Sequence, residues 1–258
     1  MSTINNTRKP LVLLLDGDLY AYNASSAVER EVDWGDGLWT LHSDLNQAIY
    51  SFESTVRQIT EFAESKLKKE VADIKFALTG PNNFRKTVLD TYKANRAGKR
   101  KPVVYWPLVD YIKENYSYGL EDVLEGDDLL GIWSTQKDHD EHRVIVSVDK
   151  DFRTIPGTFL NPGKGTCKTY SEQEANYWHL YQTLVGDTTD NYGGCKGIGD
   201  VKAKAALEKD CSWETVVRLF ESKEFTEDDA LVQARCAFIL HDGYYDFDSG
   251  KVNLWLPK

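Results

Sequence analysis

Nine acidic residues gathered into four short clusters constrain this chain more than any other feature: Asp16 and Asp18; Glu125, Asp127 and Asp128; Asp149 and Asp151; Asp187 and Asp190. Each cluster follows an apolar stretch able to end a strand, or opens a helix. Carboxylates at the carboxyl ends of neighbouring strands in an open α/β sheet converge on the crevice where ligands bind. So many like charges cannot share a pocket as bare anions. Either protons stay on, or divalent cations hold the cluster together. Cations are the expectation, because aspartate and glutamate offer the hard oxygens that magnesium or manganese takes. The five histidines form no zinc spacing.

The pattern between the clusters alternates strand and helix. Leu11 to Leu15 is a short apolar run ending in Asp16-Gly17-Asp18, which predicts a buried parallel strand entering a turn, with a helix following through Tyr22. Residues 31–42 alternate around Gly35-Asp36-Gly37 and predict a hairpin. Ser43 is a candidate N-cap for a long amphipathic helix through Ile49, Val56, Ile59, Phe62 and Leu67. Ile74 to Leu78 predicts a second strand and Arg143 to Val148 a third, with a helix opening at Gly126 between them. From Ser171 the pattern turns helical, and Tyr244 to Leu256 closes as an extended tail whose Asp246–Gly250 stretch reads as a hairpin turn. The expected class is α/β, a mostly parallel sheet flanked by helices. Residues 1–170 form the catalytic region, including a basic segment at 84–118, and residues 171–258 form a helical region.

Composition fits a folded chain: 258 residues, 41% hydrophobic and 12% aromatic. MSTINNTRKP lacks the apolar core of a secretory signal, no run is long enough to span a membrane, and Cys167, Cys195, Cys211 and Cys236 contain no paired spacing. Free thiols in a cytoplasm are therefore expected. A net charge of −10 opposes nucleic-acid binding until its distribution is considered. The acidic clusters account for nearly the whole excess. Meanwhile Arg85, Lys86, Lys93, Arg96, Lys99, Arg100 and Lys101 stand against a single Asp90. A basic stretch beside an acidic metal pocket is what phosphodiester hydrolysis requires, with two ions about 3.5–4 Å apart. Tyr92 beside Lys93 and Arg96 could stack a base while the cations hold phosphates. Gly193-Gly194-Cys195-Lys196-Gly197-Ile198-Gly199 precedes a helix carrying Lys202 and Lys204, so backbone amides can approach a phosphate there. It lacks the pattern and preceding strand of a triphosphate loop, and a helix–hairpin–helix gripping duplex phosphates fits better.

Taken in order, LLLDGD, NNFRKTVLDTYKANR, LEGDDLLG, VSVDKDF and GDTTDNYGGCKGIG resemble the 5′-nuclease superfamily over roughly residues 11–210. That superfamily comprises flap endonucleases, the 5′-nuclease domains of bacterial DNA polymerases and phage 5′→3′ exonucleases, and the chain looks most like the stand-alone phage form. The resemblance implies that Asp16, Glu125 and Asp127 surround a first metal and that Asp128, Asp149, Asp151, Asp187 and Asp190 hold a second. It implies that Lys93 contacts the scissile phosphate with Arg85 and Arg96 in support. Gly197 and Gly199 match the potassium-associated hairpin that binds uncut duplex. Tyr92, Lys86, Lys99, Arg100, Lys101, Lys196, Lys202 and Lys204 would complete the DNA contacts.

Three departures from the family pattern bear on substrate choice. Leu78-Thr79-Gly80 stands where many relatives place an Asp at the second strand's end, so Asp18 or water would substitute there. Val201 replaces the usual Lys after G-I-G, with Lys202 following. The stretch from Arg96 to Leu120 is short for a full helical arch. The expected activity is 5′→3′ hydrolysis of duplex DNA from ends, nicks or gaps, with removal of RNA from RNA–DNA hybrids, in phage DNA replication within the host cytoplasm. The alternatives are a structure-specific 5′ flap endonuclease, a single-strand ribonuclease of the same acidic fold, and a non-catalytic DNA-binding protein.

Overall fold

The computed structural model describes residues 9–137 and 140–257. Positions 1–8 of the opening MSTINNTRKP stretch lie outside the described residues. In chain order the elements are β1 (Leu11–Asp16), α1 (Gly17–Val28), β2 (Arg30–Asp33), β3 (Trp39–His42), α2 (Leu45–Leu67), β4 (Val71–Thr79), α3 (Arg85–Val88), α4 (Tyr105–Asn115) and β5 (Ser117–Glu121). There follow α5 (Gly126–Thr135), β6 (His142–Val146), β7 (Gly157–Asn161), β8 (Thr166–Tyr170), α6 (Glu172–Val185), α7 (Asp200–Lys209), α8 (Trp213–Glu221), α9 (Glu227–Ala237), β9 (Tyr245–Asp246) and β10 (Lys251–Val252).

The main sheet has the order β5-β4-β1-β6-β7-β8, with every pair parallel except β7 and β8. Continuous burial of Leu11 to Leu15 marks β1 as the central strand, covered on both faces. Leu11, Leu13, Leu15, Phe76 and Leu78 pack against α1, α2 and α4. Val12, Leu14, Ala77 and Ile145 face α5, α6 and the last three helices. The chain departs from β1 towards β4 on one side and returns to β6 on the other. That reversal leaves a crevice at the carboxyl ends of β1, β4 and β6, where open α/β sheets place their ligands.

Several local details differ from the sequence expectation. The first helix continues past Tyr22 to Val28, and it starts directly at the end of β1, where Asp16 caps it: its Oδ1 accepts from Leu19 N at 3.1 Å. The long helix starts one residue later than Ser43 implied. Asp44 is its cap, accepting from Gln47 N at 2.9 Å. Strands β5, β7 and β8 were not foreseen; β8, at the sheet edge, carries mostly exposed residues and no apolar run. The β2–β3 hairpin and the Asp246–Gly250 turn form as expected. All four cysteines are unpaired, and no helix among the described residues is long and apolar enough to cross a membrane.

Buried His179 on α6 ties the sheet's helical cover to the chain's end. Its ring lies 4.8 Å from Trp255 and 5.1 Å from Phe238, and Nε2 donates to the Ala234 carbonyl at 2.9 Å. Burial pushes its pKa down from 6.5 to about 4. The unfolded chain therefore binds the extra proton first, and stability is lost as pH falls from about 6.5 towards 4. Urea unfolding at pH 7 and pH 5 should show the advantage of wild type over His179→Gln shrinking by about 2 kcal/mol. A pH-independent gap would contradict a neutral buried imidazole.

Candidate active site

Four chain segments meet at the crevice, and each delivers acids by a local rule. Strand β1 ends in Asp16, which caps α1. Helix α5 begins after Glu125, so Asp127 and Asp128 occupy its first turn, where the helix dipole favours negative charge. The loop after β6 carries Asp149 and Asp151, with Asp149 Oδ1 accepting from Asp151 N at 2.9 Å. The turn after α6 holds Asp187 and Asp190, folded by Asp187 Oδ1 accepting from Thr189 N at 2.7 Å and Asp190 N at 3.4 Å. Gly186 and Gly194 close that turn with positive φ of 73° and 62°. A Cβ on Gly194 would sit 2.4 Å from Gly186 N, so only glycine allows the two backbones to touch.

Beneath the crevice lies a charge pair that sequence reasoning misassigned. Arg85 and Asp128 were expected to face phosphate and metal respectively. Arg85 is 2% exposed and Asp128 fully buried, and they face each other. The guanidinium grips both carboxylate oxygens at 2.7 Å, while its remaining donors reach the carbonyls of Cys236 at 3.2 Å and Phe238 at 2.6 Å. Asp128 also accepts from Glu125 N and Leu240 N, each at 3.1 Å. With both oxygens engaged, Asp128 is a foundation for Glu125 and α5, and Arg85 is its counter-ion. Tyr92 is likewise corrected as a base-stacking ring. It is 2% exposed and lies parallel to Tyr192, so neither face is open to a base.

Above that foundation stands a cation among acids. Lys93 adopts a left-handed backbone (φ 54°), strain of the kind functional sites hold, and its N–H donates to the Asp190 carbonyl at 2.9 Å. Its ammonium donates to Glu125 Oε1 and lies 3.5 Å from Asp190 Oδ2. The Tyr92 hydroxyl bridges Glu125 Oε2 at 3.1 Å and Asp190 Oδ2 at 3.0 Å, and Arg96 reaches Asp190 Oδ1 at 2.6 Å. Burial alone would raise Glu125, but Lys93 and Arg85 outweigh it and hold that carboxyl below its ordinary range. Burial would likewise lower Lys93, yet Glu125, Asp190 and Asp127 keep its ammonium charged above the ordinary value.

The neighbouring acids are not compensated in this way. Burial, then Asp18 and Asp149, push Asp16 up to about 7. Burial, then Asp16, push Asp127 well above the carboxylate range in spite of Lys93. Burial and Asp149 raise Asp151 to about 6, and its buried Oδ1 has no hydrogen-bond partner among the described residues. No three acidic, histidine or cysteine side chains among the described residues stand in a ready metal-holding geometry. Glu125 and Asp190 turn to Lys93, Tyr92 and Arg96 instead. Even so, an unpartnered carboxylate oxygen beside acids that repel one another, all hard oxygen donors, suits divalent cations.

Thr79 and Asp18 matter here in ways the sequence did not disclose. Thr79 Oγ1 accepts from Gly126 N at 3.0 Å, fastening the end of β4 to the start of α5. Asp18 accepts from Thr79 N at 2.7 Å and from the Tyr105 hydroxyl at 2.6 Å, so both oxygens are occupied by structure. The basic residues divide. Lys86, Lys99 and Lys196 are exposed, whereas Arg100 is forked on Glu29, Lys101 lies over the Tyr105 ring at 4.2 Å, Lys202 reaches the Gly197 carbonyl at 3.1 Å and Lys204 pairs with Asp200 at 2.7 Å. Gly197 and Gly199 lie exposed in the loop before α7, with Gly197 at φ 77°.

The chain is 30% identical to an exonuclease of Escherichia phage T7, spanning 95% of this chain and 93% of the relative. It is 29% identical to an exodeoxyribonuclease of Enterobacteria phage T3, across 96% and 93%. The T5 5′-exonuclease solved with zinc ions superposes with a TM-score of 0.59 at 14% identity, covering 88% of this chain and 93% of that one. A T5 flap endonuclease solved with DNA and metal ions superposes at 0.60 and 13%, covering 87% and 90%. No family model matches the chain. The sheet, the acid crevice and these relatives together show that the chain belongs to the 5′-nuclease superfamily, with the phage exonucleases.

Because Asp128 and Arg85 bury each other, removing one charge leaves the other unpaired. Asp128→Asn should lower unfolding free energy by roughly 3 kcal/mol, while Asp149→Asn, on an exposed loop, changes it by less than about 1 kcal/mol. Urea denaturation of both variants checks the contrast; similar losses would contradict the division into foundation and pocket.

Proposed function

We propose that this protein is a divalent-metal-dependent nuclease that hydrolyses duplex DNA from 5′ ends, nicks and gaps in phage DNA replication. The observation that carries the reading is a charged Lys93 held among Glu125, Asp190 and Asp127, beside desolvated Asp16 and Asp151. Asp16, Glu125 and Asp127 would hold one magnesium or manganese ion, and Asp149, Asp151, Asp187 and Asp190 the other. When bound, such ions supply an activated water and stabilise charge on the attacking and leaving oxygens.

The chain's own groups do the rest. Lys93 sets a positive charge at the crevice floor, where it neutralises charge developing on the scissile phosphate. Arg96 stands beside it on Asp190 and supports the same charge. Tyr92 holds Glu125 and Asp190 in register. Arg85 and Asp128 orient the start of α5 from below. Exposed Lys86, Lys99 and Lys196 offer phosphate contacts at the rim. The amides of Gly197 and Gly199 in the hairpin before α7 would grip the uncut duplex, with Lys202 and Lys204 alongside, and that loop would hold a potassium ion. Such a grip reads phosphates and not 2′-hydroxyls, which supports including RNA–DNA hybrids among the substrates. Residues 1–170, joined by Asp187 and Asp190, carry the chemistry and the rest of 171–258 the duplex grip, in the host cytoplasm, where free thiols persist.

Duplexes with labelled 5′ ends, blunt or nicked, test the reading. Wild type should release short products from the 5′ end in magnesium and none with chelator. Asp127→Asn and Asp149→Asn should lose cleavage while retaining duplex binding, and Lys93→Ala should slow turnover about a hundredfold or more. Near-normal turnover in either aspartate variant would end the metal assignment.

A further inference from the structure

The segment joining the acid crevice to α4 is tied down on both walls of the site. On one wall Lys93 N donates to the Asp190 carbonyl, Asn95 Nδ2 to the carbonyls of Thr188 and Thr189 at 3.2 Å, and Arg96 pairs with Asp190 at 2.6 Å. On the other wall the Tyr105 hydroxyl reaches Asp18, two residues beyond Asp16. Between them Glu29, at the carboxyl end of α1, makes the decisive contacts. Its Oε1 and Oε2 take both arms of Arg100 at 2.6 and 2.9 Å, and Oε2 also accepts from Val103 N at 2.7 Å. From Arg96 to Arg100 is four Cα steps, a reach of at most about 14 Å. Two fixed ends and so short a free stretch make a strap, without slack to arch over a passing strand.

We propose that Glu29 is the specificity-determining anchor of this strap, holding it taut so that the site receives the 5′ end of a duplex and disfavours a long unpaired 5′ tail. This rests on the 5′-nuclease reading above and adds to it the substrate geometry. Glu29 lies at the opposite end of α1 from Asp16, and among the described residues its carboxylate bonds Arg100 and Val103. It is a positioning residue, and its loss lengthens the free stretch from Arg96 to Tyr105. Arg100, expected to bind DNA, is committed to this anchor. The clasp is an exposed ion pair with one added backbone bond, so its release costs little, and the effect on substrate choice is correspondingly modest.

The test compares wild type, Glu29→Ala and Glu29→Gln on a blunt duplex and on the same duplex carrying a twenty-nucleotide unpaired 5′ tail, with trypsin nicking measured in parallel. Glu29→Ala should leave kcat/KM on blunt duplex within about twofold and raise the tail-to-blunt ratio about threefold to fivefold, through KM more than kcat. Glu29→Gln keeps an acceptor for Val103 N and should fall between. Trypsin should nick Glu29→Ala faster after Lys99 and Arg100, with the thermal midpoint little changed. An unchanged ratio, or unchanged nicking at those sites, would overturn the anchor while leaving the nuclease reading intact. Wild-type protein inert on every duplex would remove the nuclease reading and this proposal with it.

Discussion

The Arg85–Asp128 fork is the fixed point of the site. It lies in the dry interior, where an ion pair holds only if every remaining donor and acceptor is met. Here they are met by Glu125 N, Leu240 N and the carbonyls of Cys236 and Phe238. One interaction thus joins α3, the start of α5, the last turn of α9 and the segment after it. It sets the position of Glu125, and through Glu125 the positions of Lys93 and Tyr92. The C-terminal helices are therefore part of how the acid crevice is built, although its last acids, Asp187 and Asp190, stand in the turn before α7.

Above the fork the same chemistry is left unfinished. Lys93, Arg96 and Tyr92 satisfy Glu125 and Asp190, but among the described residues no ion pair reaches Asp16, Asp127 or Asp151. Burial makes their repulsion stronger than it would be in water, and their pKa values rise in response. Carboxylates arranged this way are costly to the fold by themselves. They become favourable when divalent cations share them, which links the stability of this region to its chemistry. The left-handed backbone at Lys93 fits the same picture, since strain persists where neighbours over-determine a position.

Much of this was legible in the sequence because strand ends and acids coincide. The central strand showed itself as an unbroken apolar run, and the start of α5 followed from Glu125 and the acids after it. Strand β7 and the edge strands β5 and β8 stayed hidden, since partly exposed residues carry no clear period. Roles were harder to read than positions. Asp127 and Asp128 are neighbours in sequence, yet about 100° apart around a helix, so one faces the crevice and the other the core. The signal that could have separated them was the spacing of Glu125 and Asp128, three apart as in a capping box. Tyr92 beside Lys93 looked like a stacking platform, but its ring is spent in the core and only its hydroxyl reaches the site. No sequence pattern pairs Glu29 with Arg100, or Thr79 with Gly126, because those contacts depend on tertiary placement alone.

Thermal unfolding in manganese chloride, against potassium chloride of equal ionic strength, addresses the uncompensated acids most directly. The midpoint should climb by several degrees as manganese saturates its sites, and the climb should vanish in Asp16→Asn combined with Asp151→Asn. A wild-type midpoint that moved no further with manganese than with potassium would contradict the account.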